Sequence, residues 1–275
     1  MEFLVLIIIA GLFTGFGIIN CFEYIYRKIC RMTYSNRFLV FLKSIYSYFI
    51  VIISITGFVP KHATIPRIIA ISSSIALSIY LAFYHPDNST LGVVYFAISE
   101  ILYVGFIFLV LPSNGYRHWF IKRWKNDEDG YLAFEAVLGF LFFLNGASLG
   151  FVTSSSHGSL FGSVNRELLL AIAGSMTVAG FIIKIWAAKV VSIDIYYWKD
   201  MFLGKKITEF IETGPYKFLN NPMYGIGQLQ AYALAIWYGS ATGLIAAFIN
   251  QILIFTFYYT VEKKFISRVY QNNIL

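Results

Sequence analysis

The run Leu91-Gly-Val-Val-Tyr-Phe-Ala-Ile-Ser-Glu-Ile-Leu-Tyr-Val-Gly-Phe-Ile-Phe-Leu-Val-Leu111 is apolar almost throughout, and as a helix it is long enough to cross roughly 30 Å of hydrocarbon. Outward from it the same character recurs at Phe3 to Asn20, Phe38 to Val59, Arg67 to Tyr84, Tyr131 to Val152, Leu168 to Val190, Gly227 to Ser240 and Thr242 to Val261. Inside a bilayer there is no water to pair backbone N–H and C=O groups, so a spanning segment must satisfy them internally. These runs are too long and too continuously apolar for the alternating strands of a lipid-facing barrel. The expected fold class is therefore all-α, a polytopic integral membrane helix bundle of about eight apolar helices. The last two runs, separated by Gly239-Ser-Ala-Thr-Gly243, are barely long enough for two crossings and predict a tight helical hairpin, short or tilted.

Composition points the same way. Of the 275 residues 58% are hydrophobic, 19% aromatic and 13% charged, against about a quarter charged in a soluble domain. The formal charge of +7 sits mostly in loops between apolar runs, with no long basic stretch or basic helix; it suits an anionic membrane surface and not nucleic acid. Cys21 and Cys30 match neither a zinc nor a redox spacing and read as packed thiols, which excludes a disulfide framework. His62, His85, His118 and His157 stand alone, without acidic or cysteine companions at ligand spacing, so no metal centre is expected. Nucleophile-elbow, phosphate-loop and dinucleotide-binding motifs are missing. Asn88-Ser-Thr90 is formally a glycosylation acceptor. Phe3 to Asn20 lacks a basic leader and a small-residue cleavage pattern, and is expected to be a retained helix.

Lys and Arg accumulate on cytoplasmic loops. That rule places the loops holding Arg117, Lys122, Arg123 and Lys125, and Lys199, Lys205, Lys206 and Lys217, together with the tail holding Lys263, Lys264 and Arg268, on the cytoplasmic side. Thr153 to Ser163 and the turn from His85 to Thr90 then fall on the opposite side. Eight full crossings would leave Arg27, Lys28, Arg31 and Arg37 outside, against the rule, unless the first helix does not span.

Polar content is uneven along the chain. Residues 1–130 read as N-terminal transmembrane helices with small loops and no concentrated polar chemistry, while residues 131–275 carry two long polar segments and are expected to hold the function. The most informative of these is Thr213-Gly-Pro-Tyr-Lys-Phe-Leu-Asn-Asn-Pro-Met-Tyr-Gly-Ile-Gly227. Gly214-Pro215 marks a turn, Asn220 or Asn221 can cap a helix, and Pro222 suits a first helical position. A helix is expected to begin there, its unpaired N–H groups favouring a carboxylate or phosphate, with Gly225 and Gly227 admitting a ligand close to the backbone. A cap without a ligand is the plain alternative. Asp194-Ile-Tyr-Tyr-Trp-Lys-Asp200, just beyond a helix end, reads either as an interfacial aromatic belt or as a substrate gate. Glu262 is expected where the last apolar helix reaches water, with Tyr258 and Tyr259 one turn earlier. A carboxylate is disfavoured at a helix C-terminus, and is costly against an apolar wall unless paired. An ordinary interfacial glutamate flanked by Lys263 and Lys264 is its bland counterpart.

Gly214-Pro-Tyr216, Asn221-Pro-Met-Tyr224, Ala241-Thr-Gly-Leu244, and Glu262 with Phe265 and Tyr270 together resemble the C-terminal half of the membrane-embedded phospholipid methyltransferases, a superfamily that includes the isoprenylcysteine carboxyl methyltransferases. Tyr196-Tyr-Trp-Lys-Asp-Met-Phe-Leu-Gly204 resembles the aromatic, acidic segment preceding their loop, and the Asn-Pro-Met-Tyr form is most similar to phosphatidylethanolamine N-methyltransferases. The likeness covers roughly Tyr131 to Tyr270. It implies S-adenosylmethionine as cofactor, bound by Gly214, Pro215, Tyr216, Asn221, Pro222, Tyr224, Gly225, Gly227 and Glu262, with Asn221, Tyr224 and Glu262 at the chemistry. It also implies an ethanolamine phospholipid as membrane partner, its head near Asn220, Tyr197, Trp198, Asp200 and Tyr259. Two positions depart from the pattern: Lys263 stands where the family has a second acid, and Ile226 where many relatives have a glycine two residues after the tyrosine.

Methyl transfer to an amine needs alignment and a neutral amine. A phosphoethanolamine amine in a partly dry interfacial cavity has a lowered pKa, and the lipid phosphate or Glu262 can accept its proton directly or through water. Aromatic faces can hold the partly methylated cationic heads. The methyl donor is expected to enter from the cytoplasm, its carboxylate meeting Asn221 to Tyr224 and its amino or ribose groups meeting Glu262. The Asn221 to Tyr224 loop and Glu262 are therefore expected to be close in space, because the hairpin between them returns the chain to one face. Carboxyl methylation of a prenylated cysteine, or methylation of another lipid-like small molecule, is the catalytic alternative. A non-catalytic scaffold or a transporter, for which Lys184 would be the mid-membrane charge, is the alternative of another class.

Overall fold

The computed structural model describes residues 37–160, 165–209 and 211–271. The expected helix at Phe3 to Asn20, both cysteines and the basic residues Arg27, Lys28 and Arg31 lie outside the described residues. Eight helices of eight or more residues organise the described residues: α1 (Arg37–Ser54), α2 (Ile65–Tyr84), α3 (Ser89–Val110), α4 (Arg117–Trp124), α5 (Asp127–Ser155), α6 (Arg166–Val191), α7 (Leu229–Tyr238) and α8 (Ala241–Phe257). No strand occurs among the described residues.

The all-α membrane class holds; the expected count of about eight apolar helices is not confirmed, its first member lying outside the described residues. Among the described residues five segments are long and apolar enough to span: α2, α3, α5, α6, and α8 with its continuation to Tyr270. Within the 18 residues of α1, Lys43–Ser54 is a further, shorter apolar helical segment. The run from Gly227 to Ser240 yields only the ten residues of α7, about 15 Å at 1.5 Å per residue and half the hydrocarbon thickness. A 3₁₀ turn at Ile226–Gln228 delays its start, and Gly239, with φ 62°, ends it. The expected hairpin is present, made of this short helix and the long α8.

Polar residues at the helix starts explain where the helices begin. Asn88 accepts from the Leu91 N–H, Asn126 from Asp129, Asn165 from Glu167 and Leu168, and Ser240 from Gly243. Each supplies an acceptor to N–H groups that the helix cannot pair. In α5 the first turn adds Asp127, Glu128 and Asp129, matching the positive end of the dipole.

α5 is the central helix, packing against α2, α3, α4, α7 and α8, while α6 packs against α7 and α1. The main core is aromatic: Phe134 stacks on Phe202 at 4.9 Å and on Phe106 at 5.5 Å, surrounded by buried Tyr131, Tyr197, Trp198, Met201 and Phe257. Lys199 reaches Glu128 at 2.8 Å at the start of α5, and Arg117 donates to the Met201 carbonyl at 2.8 Å, so these basic segments share one end of the bundle. At the other end Ser156 bonds Ser240 at 2.6 Å and His157 lies 3.8 Å from Asp87, joining the hairpin tip to the turn before α3.

The first half is more polar inside than the sequence indicates. Glu100, 2% exposed, accepts from Asn145 at 2.6 Å and Asn250 at 2.9 Å. Glu135 meets His62 at 2.5 Å and Arg67 at 3.0 Å. Unpaired carboxylates at these depths would be prohibitive, so both networks tie α3, α5 and α8, or α2 and α5, into one arrangement.

Candidate functional site

The loop after α6 is held by glycines at two close approaches. Gly214 has φ 61°, and a Cβ there would lie 2.8 Å from Val190 Cγ2 and 3.0 Å from Trp186 Nε1, so the chain turns directly against α6. The 3₁₀ turn Gly214–Lys217 follows, with Pro215 buried. It leaves the Tyr216 hydroxyl buried and without a partner among the described residues. Burial, reinforced by the charge of Glu262, pushes that hydroxyl well above the usual tyrosine range.

No helix begins at Asn221-Pro222, contrary to the sequence expectation. Asn221 turns its side chain back to accept from the Tyr224 N–H at 3.3 Å, and its carbonyl accepts from Gly225 at 3.0 Å. Gly227 donates to the Pro222 carbonyl at 2.8 Å. Asn caps helices and closes turns by the same local bond, and here the turn prevails because Gly225 takes φ −84°, ψ −106°, outside the helical region. The backbone donors of Tyr224, Gly225 and Gly227 are thereby used within the loop, and no helix-end cradle forms at Asn221 to Tyr224. Gly227 is buried, and a Cβ there would meet Pro222 O at 2.9 Å and Lys184 Cβ at 3.4 Å. Its small size serves loop-to-helix packing.

Glu262 also differs from expectation. It is not at a helix end: α8 continues through a π-helical turn, Tyr258–Glu262, then Lys263–Ile266 and a second π turn, Ser267–Gln271. A π turn widens the helix locally and re-aims its side chains, and such turns concentrate at functional sites. Glu262 Oε2 accepts from the Tyr224 hydroxyl at 2.9 Å and from Trp198 Nε1 at 3.1 Å. Trp198 reaches it from a left-handed backbone (φ 52°) between the short turns Ile193–Tyr196 and Lys199–Leu203, a conformation that costs a bulky residue on the order of 1–3 kcal/mol. Gln251, which the sequence did not single out, donates to the Tyr224 carbonyl at 2.9 Å and accepts from Tyr232 at 2.6 Å, fixing the loop on α8.

The other expected site residues separate into two groups. Tyr197 and Asp200 flank the Glu262 cluster. Tyr197 is buried and donates to the Ser54 carbonyl at 2.5 Å. Asp200 accepts from Tyr270 at 2.9 Å and from the Met201 N–H at 2.8 Å, and burial pushes its carboxyl above the usual range against those two bonds. Asn220 and Tyr259 are exposed; Tyr259 stacks on Phe255 at 6.1 Å, with Lys263 Nζ 5.5 Å over its ring.

Beside the cluster lies a cavity of about 580 Å³ between α5, α6 and α7, reaching Trp198 and Tyr224 and walled by Phe142, Phe181, Lys184 and Leu234. A helical integral membrane protein with a half-buried, doubly hydrogen-bonded carboxylate beside a largely apolar cavity is thus defined. Residues 168–273, which contain Trp198, Tyr224 and Glu262, match the phospholipid methyltransferase family. A phosphatidylethanolamine N-methyltransferase of Eremothecium gossypii is 28% identical over 123 residues, covering 44% of this chain. The chain spans only 15% of the length of that relative. No solved structure matches it.

Proposed function

We propose that this chain is an integral membrane methyltransferase that uses S-adenosylmethionine to methylate the amine of phosphatidylethanolamine or its partly methylated forms, with its site at the cytoplasmic interface. The observation that carries this reading is Glu262, held by Tyr224 and Trp198 beside a largely apolar cavity, inside a segment that matches the phospholipid methyltransferases. The basic segments around Arg117 and Lys199 share that end of the bundle, which by the positive-inside rule faces the cytoplasm.

The residues present suit the cofactor. Tyr216 offers an unpartnered buried hydroxyl, and Oε1 of Glu262 has no hydrogen-bond partner among the described residues, so both remain for amino and ribose groups. Gly214 to Tyr216, Asn221 to Gly227 and Glu262 would hold S-adenosylmethionine, which when bound supplies an electrophilic methyl group. The chain's own work is positioning and proton handling. Trp198 and Tyr224 orient the carboxylate and present aromatic faces to a cationic head. The lipid phosphate or Glu262 takes the amine proton, directly or through water, leaving a neutral nitrogen. The apolar walls keep water from competing.

Protein reconstituted in liposomes with labelled methyl donor should label ethanolamine lipids, read by mass spectrometry, and leave a prenylcysteine acceptor unlabelled. Ester on the prenylcysteine with no label on ethanolamine lipid would replace this reading by carboxyl methylation. No label on any acceptor would favour a scaffold.

A further inference from the structure

We infer that Lys184 is the residue that binds the phosphodiester of a phospholipid in the cavity, an inference that rests on the proposed lipid-methylating function. Lys184 lies in the spanning helix α6, only 9% exposed. Its stem packs where the buried Gly227 leaves room, so it sits directly beneath the Asn221 to Gly227 loop. Its ammonium lies 5.7 Å from the centre of the Phe142 ring. Among the described residues no carboxylate pairs with it, whereas Lys61, Lys199 and Lys206 reach Asp194, Glu128 and Glu209 at 2.5, 2.8 and 2.6 Å. The two buried glutamates of the bundle interior are held by other groups, Glu100 through Oε2 by Asn145 and Asn250, with its Oε1 unpaired among the described residues, and Glu135 by His62 and Arg67.

A buried ammonium without a counter-charge is costly, and within a membrane such a group marks a ligand or a path. Of all the side chains lining the cavity, Lys184 is the one that carries a charge. The cavity's size falls in the ordinary range for a bound small molecule. A second unpaired polar atom lies on the same wall: Gln230 Oε1 is buried without a partner, beside Gly180, one helical turn before Lys184. The occupant must therefore be anionic at one point and apolar over most of its surface. A phospholipid has that distribution, with its phosphodiester on Lys184, its chains along Phe142, Phe181 and Leu234, and its amine towards Trp198 and Tyr224, behind which Glu262 stands.

The test uses the full chain in detergent, without methyl donor, and native mass spectrometry of lipids of matched chain length. The wild type should retain phosphatidylethanolamine and phosphatidylglycerol over diacylglycerol by about tenfold or more, the scale of one charge-assisted hydrogen bond. Lys184→Met should lower both phospholipids to the diacylglycerol level without lowering the unfolding temperature, and Lys184→Arg should keep part of the preference. Equal phospholipid retention by wild type and Lys184→Met overturns the inference, as does displacement of the lipid by inorganic phosphate at equal concentration. A lower unfolding temperature with loss of diacylglycerol as well would mean a structural lysine, and also overturns it. Because no methyl donor is used, failure of methyl transfer would leave this result standing, and its failure would leave the methylation assay untouched.

Discussion

Tyr224 and Glu262 stand 38 residues apart in the chain and are joined by a 2.9 Å hydrogen bond from the tyrosine hydroxyl to Oε2. The hairpin of α7 and α8 makes this possible, because the chain leaves the loop, turns at Gly239 and Ser240, and returns along α8 to the same end of the bundle. Trp198 closes the cluster from a third segment. Two donors from distant parts of the chain thus share one carboxylate oxygen.

Tyr224→Phe removes one donor and Glu262→Gln removes the charge, while both retain shape. Each should weaken S-adenosylmethionine binding by about tenfold, the worth of a hydrogen bond to a charged group, and leave the helical content unchanged. Because the two residues act through one bond, the double variant should lose less than the sum of the single losses, with a coupling of about 1–2 kcal/mol. Titration calorimetry on all four proteins tests this, and strict additivity would count against a shared cofactor contact.

Gly214→Ala should lower stability by about 1–3 kcal/mol, since it places a Cβ 2.8 Å from Val190 Cγ2 at a backbone with φ 61°. Gly225→Ala meets only the Asn221 carbonyl, at 3.0 Å, and should cost less. Thermal unfolding in detergent ranks the two. The reverse order would show that the loop is not clamped on α6 at Gly214.

The spanning segments were legible because continuous apolar character over the bilayer thickness has one structural solution, and the meeting of the loop with Glu262 was legible from the short hairpin between them. The rest depended on contacts that local sequence does not encode. Asn221-Pro222 carries the residues of a helix start, yet the same Asn oxygen closes a turn on Tyr224. Lys263 and Lys264 resemble the end of a helix, yet Phe265 and Tyr270 are buried and hold the helix on for another two turns. Gln251 and Glu100 look like isolated polar residues in apolar runs; their partners lie 19 and 27 residues away in one case, and 45 and 150 in the other.

Asp200 makes stability pH-dependent in a definite direction. Burial raises its folded carboxyl above the unfolded value of about 3.9, opposed by the Tyr270 and Met201 bonds, so the folded state holds the proton more tightly. This group's contribution is therefore most favourable at and below the unfolded value, and declines as pH rises through the folded one. Asp200→Asn cannot ionise, and its unfolding temperature should fall less than that of wild type between about pH 4 and about pH 7. Parallel curves for the two proteins would mean that Asp200 ionises in the folded state as freely as in the unfolded chain.

Lys263 occupies the position where the family pattern has its second acid, and its surroundings indicate what that substitution does. Glu262 turns inward to Tyr224 and Trp198, whereas Lys263 is exposed with its ammonium 5.5 Å over the ring of Tyr259, itself 58% exposed. The same surface carries Lys264, Ser267 and Arg268. Adjacent residues on a helix point to different faces, so a carboxylate at 263 would extend into this basic patch and away from the Glu262 cluster. Lys263→Glu should change S-adenosylmethionine affinity by less than about threefold, within the small range of an exposed ion pair, while Glu262→Gln loses about tenfold. It should reduce adhesion to anionic vesicles in a salt-dependent way, because it removes one cation from this basic patch. A tenfold gain in cofactor affinity for Lys263→Glu would show instead that the second acid reaches the ligand and that this chain lacks one of its contacts.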